Sequence, residues 1–158
     1  MDPAAMTVRN ARLKALASAR ASGGKPPAWT LGADTVVVLE SEILGKPAGD
    51  REARSMLERL SGRPHEVFTG WSLVHDTTPV EEGHSVTRVS FRALSPARID
   101  DFVRAREWTD KAGGYAIQGR GAYLIRSIDG DPFNVMGLPI TDVVEAFLRQ
   151  GVIPRYPL

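Results

Sequence analysis

The chain has 158 residues, 42% of them hydrophobic and 25% charged, the balance of an ordinary globular protein and by length a single domain over residues 1–158. Twenty Lys and Arg against nineteen Asp and Glu leave a net charge of +1, which excludes attraction to nucleic acid through overall charge. The absence of cysteine excludes a disulfide framework, a thiolate nucleophile and a Cys-based zinc site. Apolar runs such as Val36 to Leu39 are too short for a membrane span, and no secretory signal is present, so a cytoplasmic location is expected.

In chain order, residues 1–25 carry Arg9, Arg12, Lys14, Arg20 and Lys25 against the single acid Asp2. An Arg-rich, acid-poor start can be a transit peptide; the spacing predicts instead a basic amphipathic helix with Met6, Leu13, Leu16 and Ala17 on one side. Paired Gly and Pro make Ser22 to Pro27 a loop. Residues 29–39, WTLGADTVVVL, read as a buried strand, and Ser41 to Pro47 as a turn. Asp50 is expected to cap a helix whose Ala53, Met56, Leu57 and Leu60 fall at i, i+3, i+4 and i+7, stopped by Gly62 and Pro64. Strands at 65–74 and 85–94 follow, joined by a polar loop from Asp76 to His84. Ser95-Pro96 opens a helix with Ile99, Phe102, Val103 and Arg106 in register, residues 107–121 are irregular, and a strand is expected at 121–128. After a loop over 129–134, Pro139 opens a last helix with Ile140, Val143, Val144, Phe147 and Leu148 on one face, ended at Gly151. Interleaved helices and strands place the chain in the α/β or α+β class with a mixed sheet.

Three places can carry chemistry. Asp34 puts a carboxylate inside an apolar strand, which costs several kcal/mol unless the group is paired, bound to metal or at a wet cleft. Gly32 before it allows close backbone approach, and Thr35 after it adds a hydroxyl. Lys46 is pinned between Gly45 and Pro47, which makes it a better point charge for phosphate than a floppy lysine, although no P-loop is present. In DKAGGYAIQGRG at 110–121, glycines 113, 114, 119 and 121 either cradle an anion with backbone N–H groups or form a Gly-rich turn without a ligand. Lys111 and Arg120 add charge there, and Gln118 has the donor and acceptor that read a base edge. His65, His75 and His84 lack metal-ligand spacing and read as surface or strand histidines, and the three tryptophans as core.

Taken together, GADTVVVLE-SEILGKP at 32–47, LSGRPHEVFTG at 60–70, DKAGGYAIQGRGA at 110–122 and NVMGLP at 134–139 resemble the Maf family. These are nucleoside triphosphate pyrophosphatases with a fold related to the inosine triphosphate pyrophosphatases, a mixed sheet flanked by helices. The resemblance implies hydrolysis of the α–β phosphoanhydride to a nucleoside monophosphate and pyrophosphate, with a divalent cation, magnesium or manganese. It implies that Asp34 is the proton acceptor and lies close to the metal, that Lys46 is catalytic on the phosphates, and that Lys14 and Lys111 bind substrate. Thr35 and Gln118 fall at positions tied to base choice, and that pair resembles the subgroup acting on dTTP and UTP; the 7-methyl-GTP type is the alternative. A homodimer is implied by the family alone. The family's opening strand, its Ser-x-Ser-Pro-Arg-Arg loop and its Asp-Glu element have no match here, so the fold is expected to be incomplete at the N-terminus. A start assigned too late is the expected reason, and a short, impaired nucleotide-binding relative is the alternative.

Overall fold

The alanine-rich start is a strong helix former, and it folds as α1 (Pro3–Ala21) in a computed structural model that describes residues 2–21 and 29–155. The Asp2 carboxylate accepts hydrogen bonds from the Ala4 and Ala5 N–H groups at 3.1 and 3.3 Å, with Pro3 at the first helical position. The chain continues as β1 (Trp29–Leu39), β2 (Glu42–Leu44), α2 (Asp50–Leu60), β3 (Pro64–His75), β4 (Thr78–Phe91), α3 (Pro96–Ala105), β5 (Ile125–Asp129), α4 (Pro132–Met136) and α5 (Ile140–Arg149). Two 3-10 turns, Ala112–Gly114 and Gly119–Leu124, precede β5. The strands form one five-stranded sheet in the order β2-β1-β3-β4-β5, so the class is mixed α/β as expected. The β1/β2 and β4/β5 pairs are antiparallel. Among the described residues no helix is long and apolar enough to cross a membrane.

The contacts divide the chain into two compact units, one of residues 1–35, 69–85 and 137–158, the other of 36–68 and 86–136. In the first unit, Trp71 and Leu73 of β3 pack with Val143 and Ala146 of α5, and Ala15 and Ala19 of α1 pack with Val74. The second unit holds the larger core, where Leu57 and Leu60 of α2, Val67, Val89, Phe91 and Phe102 are nearly inaccessible to water.

Several expectations need correcting. The buried face of α1 is Thr7, Ala11, Ala15 and Ala19, not the side of Met6, Leu13, Leu16 and Ala17; Leu13 is 54% exposed. Small residues win because α1 lies directly on strand backbone. A Cβ at Gly32 of β1 would overlap the Ala11 carbonyl oxygen and stand 2.9 Å from the Ala15 Cβ, and one at Gly70 of β3 would overlap the backbone of Thr7 and Val8. The close backbone approach expected at Gly32 is thus made by α1.

The expected turn over 41–47 contains β2, paired to β1 through a tight turn at Glu40 and Ser41 with φ of 49° and 75°. The polar stretch Thr78–His84, expected as loop, is strand: the β3–β4 turn is only Asp76 and Thr77. Its charges are held by neighbours, Glu82 by the Arg12 guanidinium (Nε–Oε1 2.7 Å) and Glu81 by Arg149 and by Gln150 at 3.0 Å. Asp50 does not cap α2; Gly49 is the cap residue, and the Glu52 carboxylate accepts from the Ala48 N–H at 2.7 Å.

The strand expected at 121–128 is a 3-10 turn until Leu124 and then β5, and the loop at 129–134 contains α4. Trp29 is not core: it is 36% exposed and stacks at 4.5 Å on His75. The expected loop Ser22 to Pro27 lies outside the described residues.

Candidate active site

Asp34 sits where β1 passes under α1, and the close approach that Gly32 allows brings two helical side chains onto its carboxylate. Lys14 Nζ donates to Asp34 Oδ1 at 2.5 Å and to the Ala33 carbonyl at 3.1 Å. Asn10 Nδ2 donates to Asp34 Oδ2 at 2.9 Å. Asn10 and Lys14 are four residues apart, so they share one face of the helix. Asp34 keeps 16% of its side chain exposed, while Lys14 keeps 59%. The desolvation cost that the sequence raises is thus met by an ammonium, an amide and partial contact with water.

Thr35, the next residue, shares a 2.8 Å hydrogen bond between its hydroxyl and that of Thr69, which is fully buried on β3. Gly137 lies close by: a Cβ there would stand 3.6 Å from Thr35 Oγ1.

Lys46, Lys111 and Gln118 belong to the second unit, whereas Asp34, Thr35 and Lys14 belong to the first. Within the second unit the two lysine-bearing turns are tied together, since the Gly113 N–H donates to the Gly45 carbonyl at 2.9 Å. Gly113 has φ of 67°, and a Cβ there would stand 3.0–3.1 Å from Val37. Glycine is therefore required both for the left-handed turn and for its seat on β1. Lys46 and Lys111 are both exposed, one residue after Gly45 and two before Gly113. Of the two readings of the glycines, the first two follow the turn without a ligand: the Gly114 N–H donates to the Lys111 carbonyl at 3.1 Å and that of Gly113 to Gly45. Gln118 is exposed and starts the second 3-10 turn.

Below this segment, His65 Nε2 and the Tyr115 hydroxyl share a 2.6 Å hydrogen bond, and both rings meet Phe91 edge to face. Burial pulls the His65 imidazole down to about 4 and pushes the Tyr115 phenol up, so both are neutral near pH 7. His65 is a buried strand residue. Asn134, of the last sequence block, is fully buried and donates to the Val67 carbonyl at 3.0 Å and to Thr87 Oγ1 at 2.9 Å, a structural role.

The described residues contain no group of three or more His, Asp or Glu able to hold a metal ion. Asp34 thus offers one carboxylate, which could supply a single ligand to a magnesium-like ion rather than a cage built by the protein. Sequence reading missed Asn10; its spacing of four from Lys14 was the available signal.

The chain thus joins an acid to an ammonium at a helix–strand crossing and ties two lysine-bearing turns together by backbone. It belongs to the Maf family: the model for Maf-like proteins matches residues 1–150. The chain is 43% identical to a dTTP/UTP pyrophosphatase of Pyrococcus furiosus over 91% of its own length and 74% of the relative's. It is 47% identical to a protein of that name from Moorella thermoacetica, over 90% of this chain and 75% of the relative, and 49% identical to one from Pyrococcus abyssi, over 78% and 65%. The aligned segments thus cover about two thirds to three quarters of these relatives.

Proposed function

We propose that this chain is a nucleoside triphosphate pyrophosphatase that hydrolyses dTTP and UTP to the monophosphate and pyrophosphate. The relatives' names support the activity, and the observation that carries it at the residue level is the partly exposed Asp34 carboxylate gripped by Lys14 and Asn10. In this reading a water attacks the α-phosphorus, Asp34 accepts its proton, and the bond from that phosphorus to the bridging oxygen breaks with the electron pair leaving on pyrophosphate. Lys46 and Lys111, spaced by a backbone hydrogen bond, stabilise the negative charge that develops on phosphoryl oxygens, and Lys14 takes part in holding the triphosphate. Thr35 and Gln118 serve base selection, the amide matching the keto and imide edge of a pyrimidine. A divalent cation, magnesium or manganese, would neutralise phosphate oxygens and the leaving group, with Asp34 as its protein ligand. The proposal includes a homodimer and a cytoplasmic location, with a nucleotide rather than a nucleic acid as partner.

The test is release of pyrophosphate from dTTP, UTP and 7-methyl-GTP with either cation. Release from the first two is expected, with Asp34→Asn lowering kcat by about 10²–10⁴-fold. No release from dTTP or UTP at any cation concentration would sink the proposal, and a preference for 7-methyl-GTP would overturn the base assignment.

A further inference from the structure

We propose that Asn10 is a positioning residue that fixes the Asp34 carboxylate independently of Lys14, leaving Lys14 free to transfer its ammonium to the substrate's phosphates. The inference rests on the pyrophosphatase reading of the same site. Two donors meet the carboxylate, and they differ in kind. Lys14 reaches Oδ1 on a long stem that is 59% exposed, and it carries a charge that any incoming phosphate attracts. Asn10 reaches Oδ2 at 2.9 Å on a short stem, is partly buried and is neutral.

A carboxylate oriented by lysine alone loses its orientation when the ammonium moves to another anion. One also held by a neutral amide, which an incoming anion does not draw away, keeps it. The geometry is set by backbone: Ala11 and Ala15 of α1 sit on Gly32 of β1, so the face that carries Asn10 and Lys14 cannot lift or slide without opening that seam. Asn10 is therefore the part of the pair that stays.

The experiment compares wild type with Asn10→Ala, Asn10→Gln and Lys14→Ala, by steady-state kinetics with dTTP and by side-chain amide NMR. Asn10→Ala is expected to lower kcat about tenfold with KM within about twofold, and Asn10→Gln to restore most of the loss. Lys14→Ala is expected to raise KM. In the NMR arm, Asp34→Ala shifts the Asn10 side-chain amide resonances. Saturation with a non-hydrolysable α,β-methylene dTTP leaves them in place in wild type, while the Lys14 ammonium signal moves.

An unchanged kcat in Asn10→Ala, or equal changes in kcat and KM, overturns the proposal. So do Asn10 resonances that ignore Asp34→Ala or move with the analogue. A wild type that releases no pyrophosphate sinks the functional reading instead, and the Asp34→Ala spectrum still decides whether Asn10 holds the carboxylate.

Discussion

At the scale of single residues, the lysines divide by what fixes them. Lys14 is fixed by its partner, the Asp34 carboxylate, whereas for Lys46 and Lys111 it is the turns that carry them that are tied, through the Gly113 N–H on the Gly45 carbonyl. Tying the turns settles the backbone part of the ordering cost before substrate arrives, which favours electrostatic stabilisation. Lys46→Ala is accordingly expected to cost about 10²–10³-fold in kcat for dTTP without loss of folded protein, measured by pyrophosphate release beside a melting curve. An unchanged rate would remove Lys46 from the phosphates. Asp34 was legible in the sequence because an acid in a run of apolar and β-branched residues has to be explained. Asn10 was not, since an asparagine in a basic helix looks like any solvated position until the helix is laid on its strand.

At the scale of elements, the large-side-chain patterns of α2 and α3 read true, whereas in α5 Ile140 is 43% exposed and only Val143 and Ala146 are buried. Ala53, Met56, Leu57 and Leu60 of α2, and Ile99, Phe102 and Val103 of α3, are buried as their spacing predicts. In α1 the apolar count pointed to Leu13 and Leu16, but close packing on a glycine-bearing strand selects by size rather than by hydrophobicity. The same blind spot hid β2 and the first half of β4, where the decisive contacts of Glu81 and Glu82 are with arginines distant in sequence. Gly32→Ala puts this to measurement. The added methyl meets main chain that cannot turn aside, so a loss of about 3 kcal/mol and a fall in Tm of about 10 °C are expected in a thermal melt. A variant as stable as wild type would mean that α1 is not seated on β1.

For the molecule as a whole, the buried His65–Tyr115 pair makes stability depend on pH. The His65 imidazole takes up a proton at about 4 when folded, against 6.5 when exposed, because burial disfavours its charged form. Between those values the unfolded chain binds more protons. The contribution is therefore fully present above pH 6.5 and is lost as pH falls towards 4, by on the order of 3 kcal/mol in total. Denaturant unfolding between pH 7.5 and 4.5 should show this slope, and His65→Gln should flatten it; an equal slope in the variant would refute the assignment. Glu81 and Glu82 act in a lower window, since Arg149 and Arg12 hold their carboxylates below the ordinary range and their stabilisation disappears only as those groups protonate. Four separated sequence blocks made the family legible. The division of the candidate residues between two units was not, because nothing in the strand signal marks that residues 34 and 35 belong with one core and 36 onward with another.

The alanine and glycine seam under α1 also acts as a gauge. A helix advances about 5.4 Å per turn, so slippage by one turn would carry the lysine wholly out of reach of its acid, with no intermediate setting at which both survive. Changes of bulk along that seam would therefore break the Lys14–Asp34 pair outright instead of stretching it by degrees.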